Sequence, residues 1–153
     1  MLHLVPPNTA PDFIKKSALV DDSGWVDVNP YSLQHKKYPN IFSLGDVCNV
    51  PTSKTGAAIR KQAPVVVNNI INLIEFQKLS SKKYNGYSSC PFITGYGKMV
   101  LAEFDYTKKF TPDPKLKQLL IFDSSKEHWR LWLLKKYMLP YLYWNKMLKG
   151  KEV

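Results

Sequence analysis

Short apolar runs separated by turn-forming residues make up the first third of the chain. The sequence DSG at residues 22–24 predicts a turn, and the alternating WVDV after it predicts the second arm of a small hairpin. The run IFSL at residues 41–44 is apolar or small throughout, which predicts a strand buried on both faces of a parallel sheet. Together with the helix that follows, these strands indicate an α/β fold class.

From residue 55 the apolar positions change to a helical period. Thr52, Ser53 and Thr55 are candidate N-caps. Pro64 removes one backbone hydrogen bond and is expected to kink the helix. Apolar residues at spacings of three and four predict a long helix: Ile59, Ala63, Val66, Val67, Ile70, Ile71 and Ile74.

The remainder of the chain combines loops, a strand and an aromatic tail. Residues 79–91 (LSSKKYNGYSSCP) and residues 108–115 (KKFTPDPK) are predicted loops, and residues 98–106 are a predicted strand. Residues 124–148 have a helical pattern that Pro140 interrupts. We therefore expect one unit over residues 1–80 and a second region over residues 81–153.

Composition and charge narrow the class of protein. The 153 residues are 44% hydrophobic and 13% aromatic, which indicates a globular chain. The net charge of +10 divides into +2 for residues 1–80 and +8 for residues 81–153. A basic half predicts an anionic partner, such as nucleic acid, an acidic membrane surface or an acidic protein. A solvated lysine-rich face is the alternative.

Cysteine content and hydropathy limit the compartment. Cys48 and Cys90 are too few for a disulfide framework and suit a reducing compartment or a redox role. The opening MLHLVPPNTAPDF lacks the basic segment and the long apolar run of a secretory signal peptide. Since no stretch approaches about 18 uncharged apolar residues, no transmembrane helix is expected.

A glycine and a carboxylate directly follow the predicted strand at residues 41–44. Ligands of open α/β sheets bind beyond the carboxyl ends of strands, so Asp46 is placed to accept hydrogen bonds from ribose or ribityl hydroxyls. Gly45 lets the backbone approach the ligand. The following helix would direct its N–H groups and positive dipole end into the same crevice, which would stabilise a reduced flavin. The alternative is a loop glycine with an Asp cap.

Several motifs carry a resemblance to known flavoproteins. YPNIFSLGD at residues 38–46 resembles the second flavin-binding motif of flavoproteins with two dinucleotide-binding domains. More narrowly, four segments together resemble mitochondrial-type sulfide:quinone oxidoreductases: PPNTAPDFIKKSALVDDSGWVDV (6–28), GDVCNVPTSKTGAAIRKQAP (45–64), YNGYSSCPFITGYGKMVLAEFDY (84–106) and LPYLYWNKMLKG (139–150). The resemblance covers nearly the whole chain.

The resemblance implies an enzyme that oxidises hydrogen sulfide and passes two electrons through non-covalent FAD to ubiquinone. It also implies a small thiol, such as glutathione, as sulfur acceptor, and a peripheral location on the mitochondrial inner membrane. It assigns Asp46 to FAD, with Gly45 beside it, and places Lys54 of the PTSK run against the flavin. Cys90 matches one of two redox cysteines that hold the sulfur. No metal is implied.

The chain also departs from the family pattern. Gly95-Tyr96-Gly97 is followed by Val100 where the GxGxxG fingerprint needs a glycine, so the pyrophosphate cradle is absent. The second redox cysteine and the NAD-like domain are absent too, and Cys48 is not taken as the missing partner. We expect the C-terminal part of a longer enzyme, inactive alone. Residues 1–80 would belong to an incomplete Rossmann-like FAD-binding domain, and residues 81–153 would follow with the redox cysteine, a strand and amphipathic helices.

The tail mixes large aromatic side chains with cations. This combination suits a membrane interface, where the tail would admit a lipid-borne quinone. Alternatives are an amphipathic helix docked on its own domain and a single-stranded nucleic-acid surface, although no RNA-binding motif is present and no nucleic-acid partner is expected. The residues concerned are Trp129, Arg130, Trp132, Lys135, Lys136, Tyr137, Tyr141, Tyr143, Trp144, Lys146 and Lys149.

Three hypotheses for the function stay open at this point. The first is the C-terminal part of a sulfide:quinone oxidoreductase, and the second is a non-catalytic membrane-binding fragment or degenerate copy of one. The third is another flavoprotein, such as a type II NADH dehydrogenase. Cys90 within SSCP favours the first over the third, although an isolated cysteine can also be inert. The absent GxGxxG favours the second for the chain by itself.

Overall fold

Turns and isolated bridges organise the first third of the chain after the short helix α1 (Asp12–Lys15). The computed structural model describes residue 4, residues 6–151 and residue 153, so residues 1–3 and 5 of the first predicted region and residue 152 of the second lie outside it. Gly24 has φ +82° and donates its N–H to the Asp21 carbonyl at 2.9 Å. Val20 and Val26 form a single antiparallel bridge around this turn. The predicted hairpin is thus present as a tight turn closed by one bridge.

The strand predicted at residues 41–44 is wrong. Only Phe42 pairs, through an isolated antiparallel bridge with Gln34, and the chain then enters a 3₁₀ helix at Gly45–Val47. All four side chains of the run are half-buried, and two of them, Phe42 and Leu44, pack on the first apolar cluster described below. No parallel sheet forms among the described residues, so the Rossmann-like part of the expected fold is not observed here.

The long helix α2 (Gly56–Phe76) begins directly after one of its three candidate N-caps. Thr55 is the N-cap, and its hydroxyl accepts a hydrogen bond from the Ala58 N–H at 3.2 Å. At the other end Gln77 adopts a left-handed conformation and donates its N–H to the Leu73 carbonyl at 3.1 Å. The helix continues through Pro64, and the expected kink there stays a prediction.

The apolar repeat that predicts α2 does not coincide with the face that α2 buries. The repeat residues Val67, Ile70, Ile71 and Ile74 are exposed. The buried face carries two amides among its apolar residues and consists of Ala58, Gln62, Val65, Val66 and Asn69. The spacing of apolar residues therefore predicted the helix correctly, but it did not predict which face is buried, because the exposed face is the more apolar one.

One antiparallel hairpin follows, formed by β1 (Ser88–Gly95) and β2 (Lys98–Phe104). β2 confirms the strand expected at residues 98–106, although it ends two residues earlier. β1 was not expected, because residues up to Pro91 were assigned to a loop. Pro91 is tolerated in β1 because, within the described part of the chain, β2 is the only strand that pairs with it and its other edge makes no ladder hydrogen bonds.

The tail is helical but begins later than expected. A 3₁₀ helix (Pro114–Leu119) precedes α3 (Trp129–Leu133), and a π-helix (Leu134–Met138) then leads into α4 (Leu139–Asn145). Pro140 lies in the first turn of α4, where its missing N–H is tolerated. The wider π turn just before Pro140 changes the hydrogen-bond pattern and keeps the helical course. A last 3₁₀ helix spans Met147–Lys149.

Two apolar clusters hold these elements together in a small α/β fold. The first comprises Val26, Val28, Leu33, Cys48, Val50, Val65, Val66, Tyr84 and Tyr87. The second comprises Met99, Leu101, Leu116, Ile121, Leu131 and Leu134. The division at residue 80 stays a prediction.

The fully buried carboxyl group of Glu103 lies between these two clusters. It accepts hydrogen bonds from the Tyr87 hydroxyl at 2.7 Å, from the Ser124 hydroxyl at 3.1 Å and from the Asp113 N–H at 3.2 Å. Burial and this neighbouring carboxyl raise the pKa of Tyr87 well above its ordinary value. The tyrosine is therefore a neutral donor.

Candidate functional site

Gly45 is required by the backbone at the start of the 3₁₀ helix. Its φ of +74° lies in the left-handed region, which disfavours any residue with a Cβ. A Cβ there would also lie 3.3 Å from the Ile59 side chain on α2. The Gly45 N–H donates to the buried Gln62 side chain at 2.7 Å. The glycine thus allows the 3₁₀ helix to pack closely on α2, an explanation that needs no ligand.

A small crevice opens where the 3₁₀ helix meets the N-terminus of α2. The N–H groups of Gly56 and Ala57 have no hydrogen-bond partner among the described residues, as is usual in a first helical turn. The positive end of the helix dipole therefore lies beside the crevice. The lining residues are Gly45, Cys48, Val50, Thr52, Ser53, Lys54, Thr55, Ala58 and Gln62.

Lys54 supplies a cation to this crevice. Its Nζ donates to the Cys48 carbonyl at 2.8 Å and lies 3.8 Å from the centroid of the Trp25 ring. Burial lowers the pKa of Lys54, while the nearby Cys48 and Asp46 act in the opposite direction. The ammonium group is thus held by one carbonyl and one aromatic face, without a carboxylate within 4.0 Å in the part of the chain that the structure describes.

Asp46 lies on the same 3₁₀ helix and is exposed. It is not among the residues that line the crevice, although its charge acts on both Lys54 and Cys48. Of the three residues expected at the cofactor, Gly45 and Lys54 line one crevice, and Asp46 lies at its margin.

The two cysteines have contrasting environments. Cys48 is 1% exposed and donates its thiol hydrogen to the Gly45 carbonyl at 3.1 Å. Burial raises the pKa of Cys48, so it stays a neutral thiol near pH 7. Cys90 is exposed on β1 opposite Ala102 and does not line the crevice. Cys90 is thus the accessible sulfur.

The residues present fit one part of an FAD molecule. A cation, unpaired helix N–H groups and a glycine that permits close approach suit an edge of the isoalloxazine ring where negative charge develops. The exposed carboxylate of Asp46 suits ribityl hydroxyls. The chain contains no GxGxxG segment for the pyrophosphate, so the fit covers the flavin side alone.

Two residues at this site were not expected from the sequence. Trp25 lies under the Lys54 ammonium group, and Gln62 holds Gly45 from α2. Gln62 directly follows Arg60 and Lys61, and nothing in that polar run marked it as buried. For Trp25 there was no local signal, because its contact joins distant parts of the chain.

The comparisons with known proteins bear on the whole chain. No family model matches. The chain is 47% identical over 150 residues to the mitochondrial sulfide:quinone oxidoreductase of Mus musculus, covering 98% of this chain and 32% of that protein. It is 49% identical over 155 residues to the enzyme of that name from Dictyostelium discoideum, covering 99% and 32%. The chain therefore spans about a third of the length of the curated relatives it matches.

One solved structure is also similar. The match is to a chain in the cryo-EM structure of the Tetrahymena thermophila mitochondrial ATP synthase, an F1Fo composite tetramer. The TM-score is 0.63 with 33% identity, over 69% of this chain and 25% of that chain.

Among the described residues, no helix is long and apolar enough to cross a membrane. Within the same residues, no group of three or more His, Cys, Asp or Glu side chains could hold a metal ion.

Proposed function

The chain belongs to the sulfide:quinone oxidoreductase family, and from that premise we propose that it is the C-terminal part of an FAD-dependent enzyme that oxidises hydrogen sulfide. The observation that carries this proposal is the crevice that brings Gly45, Lys54 and the N-terminus of α2 together. The proposal includes ubiquinone as electron acceptor and a small thiol, such as glutathione, as sulfur acceptor. It also includes the mitochondrial inner membrane as the site of action.

The crevice residues bind and orient the cofactor in this proposal. FAD, when bound, supplies the two-electron redox chemistry. Lys54 and the N–H groups of Gly56 and Ala57 would stabilise negative charge at the crevice, since a fixed cation and a helix N-terminus need no rearrangement when that charge develops. Asp46 would bind ribityl hydroxyls, and Gly45 allows the close approach.

Cys90 would contribute one of the two sulfurs of a redox disulfide. Attack of HS⁻ on that disulfide forms a new S–S bond to one cysteine, breaks the old S–S bond and releases the other cysteine as a thiolate. Transfer of the outer persulfide sulfur to the small thiol would leave two cysteine thiols, and their reoxidation to the disulfide would release two electrons and two protons. Those electrons would pass through bound FAD to ubiquinone. The exposure of Cys90 supports the role, because exchange requires access. The second cysteine would come from the rest of the enzyme.

Cofactor binding by a chimera tests the proposal directly. In this chimera, the present chain replaces the matching third of the mouse relative. The chain alone should purify with little FAD, whereas the chimera should be yellow, and Asp46→Ala should weaken retention of the cofactor. Asp22→Ala is the matched control, because that carboxylate is exposed like Asp46 but does not act on the charge of Lys54 or Cys48. Stoichiometric FAD on the isolated chain would contradict the view that it is incomplete.

A pair of cysteine variants tests the chemistry. In the chimera, Cys90→Ser should abolish sulfide-dependent bleaching of the flavin absorbance while FAD stays bound. Cys48→Ser should retain most of the turnover, because the Cys48 thiol is buried and neutral. If the effects of the two substitutions were exchanged, Cys90 would be the wrong sulfur.

The tail would attach the enzyme to the membrane surface. Trp129 and Trp144 are 56% and 63% exposed, and the guanidinium carbon of Arg130 lies 4.9 Å from the Trp129 ring centroid. Aromatic rings beside long cations are typical of interfacial helices. An open apolar groove between the helices could admit a quinone tail, and it is lined by Leu119, Trp129, Arg130, Leu133, Leu134, Tyr137 and Met138.

A second candidate is a non-catalytic module retained from such an enzyme. The observation in its favour is the similarity to a chain in an ATP synthase structure, since this places a related fold within a large mitochondrial assembly. The chimera experiment separates the candidates. A module without catalytic function would bind no FAD in the chimera and would not react with sulfide.

A further inference from the structure

The outward face of α2 is an apolar stripe without charge. Its residues are spaced by three and four positions, so they lie side by side on one helical face. None of residues 62–74 carries a charge. The stripe residues and their exposed fractions are Val67 at 53%, Ile70 at 39%, Ile71 at 45% and Ile74 at 72%.

The polar side chains of this helix leave the stripe apolar. Asn68 donates its side-chain amide to the Pro64 carbonyl at 2.6 Å, and Asn72 donates to the Asn68 carbonyl at 2.9 Å. Asn69 lies on the opposite, buried face, where it donates to the Ser32 carbonyl at 2.8 Å and accepts from the Ser80 N–H at 3.0 Å. The side-chain N–H groups of these asparagines therefore bind within the protein.

We propose that this stripe is a docking surface for the polypeptide that corresponds to the remaining two thirds of the chain's relatives. A helix that is apolar on both faces is normally buried on both. The curated relatives that match nearly all of this chain are about three times as long, so their version of this third folds beside additional protein. The inference rests on family membership and does not depend on the proposed flavin chemistry.

A membrane is a poorer occupant for this face. Interfacial helices carry Lys and Arg along the boundary of their apolar face. Residues 62–74 carry none, whereas the tail carries several. A protein surface needs no such cations, because apolar side chains in a protein interface pack against other apolar side chains.

Cysteine labelling tests the proposal. Ile74→Cys is compared with Phe122→Cys, whose parent side chain is similarly exposed, at 74% against 72%. Each variant is prepared in the isolated chain and in the chimera with the mouse relative, and maleimide labelling of each peptide is followed by mass spectrometry, which also separates Cys48 and Cys90. Labelling at position 74 should be about tenfold slower in the chimera, and labelling at position 122 should be within about twofold.

Three results would overturn the proposal. The first is unchanged labelling at position 74, or equal slowing at both positions. The second is a chimera that aggregates under conditions where the mouse relative is soluble, since docking requires compatible surfaces. The third is slow, concentration-dependent labelling of the isolated chain together with dimeric sedimentation, which would identify a second copy as the occupant. A chimera without FAD but with selective protection at position 74 would support this proposal and contradict only the proposed function.

Discussion

Two regions of this molecule expose apolar side chains, and they differ in the charges around them. The outer face of α2 exposes aliphatic residues within a stretch that has no charged residue. The tail exposes tryptophan and tyrosine rings with cations beside them, and Lys136 Nζ lies 5.1 Å from the Tyr137 ring centroid.

This difference shows that exposure alone does not identify a partner. Apolar burial is non-directional, so either surface would be stabilised by any apolar contact. Cations add a preference for an anionic surface, and large aromatic rings add a preference for the lipid–water interface. The surrounding charge therefore separates a protein-docking face on α2 from a membrane-facing tail.

The largest expected effect is the loss of stability when a buried residue, and not an exposed one, is replaced on these helices. Leu131 is 0% exposed, so Leu131→Ala should lower the free energy of unfolding by about 2–5 kcal/mol. Trp129→Ser on the same helix and Ile74→Ser on α2 should each change it by less than about 0.5 kcal/mol. Urea unfolding monitored by circular dichroism measures all three. A large loss for Trp129→Ser would mean that the tail rings pack inside the domain.

Vesicle binding should distinguish the two exposed surfaces. The double variant Trp129→Ser/Trp144→Ser should bind cardiolipin-containing vesicles about tenfold less tightly for each ring removed, since about 1.4 kcal/mol corresponds to a factor of ten. Trp132 is left intact, because it packs against the second apolar cluster. The matched variant Ile70→Ser/Ile74→Ser should bind like the wild type. Equal losses of vesicle binding in the two double variants would show that the tail is not more specific for membranes than the outer face of α2.

Salt should act on the tail through its lysines. Each cation near an anionic surface contributes about 1 kcal/mol, so Lys135→Gln/Lys136→Gln should weaken vesicle binding about 30-fold at low ionic strength. At high salt the difference should shrink, while the contribution of the rings persists. Co-sedimentation with vesicles at two salt concentrations measures this. Salt-independent binding of the wild type would contradict a role for the cations.

The smallest effect concerns alkaline pH at the crevice beneath α2. Burial raises the pKa of Cys48 above its ordinary 9.0, so the thiol contributes stability that is complete below that value. As the pH rises, the Cys48 thiol ionises in the unfolded chain before it ionises in the folded protein. Between its unfolded-state and folded-state pKa values the free energy of unfolding therefore falls, by at most about 1.4 kcal/mol per pH unit. Between about pH 8 and 10, Cys48→Ala should therefore lose less stability than the wild type in urea unfolding. If the free energy of unfolding fell equally with pH in the wild type and in Cys48→Ala, this linkage would be contradicted.

Local patterns predicted much of the secondary structure. The DSG turn, the Thr55 cap, the helix after it and the strand at β2 all depend on short-range signals that the structure confirms. The run at residues 41–44 failed because an apolar tetrapeptide has the same pattern in a strand and in an extended segment packed on one cluster. β1 was missed because its first residues belong to the segment at residues 79–91 that was predicted to be a loop, and pairing with β2 outweighed that local composition.

At the candidate site the sequence pointed to residues but not to their arrangement, and the roles of those residues stay predictions. Gly45 and Lys54 were expected together and line one crevice, while Cys90 lies outside it. The contact of Trp25 with Lys54 depends on tertiary packing, which no local pattern encodes. The buried face of α2 was also not evident, because Gln62 and Asn69 are buried through hydrogen bonds to distant backbone groups.

The position of Glu103 has a consequence for how the chain unfolds. Its hydrogen-bond donors come from both sides, with Tyr87 in the first apolar cluster and with Asp113 and Ser124 in segments that pack beside the second. If either cluster opened alone, the Glu103 carboxyl group would lose some of its hydrogen bonds while the rest of its surroundings still excluded water. Partial opening is therefore penalised, and the two clusters should unfold in one cooperative transition.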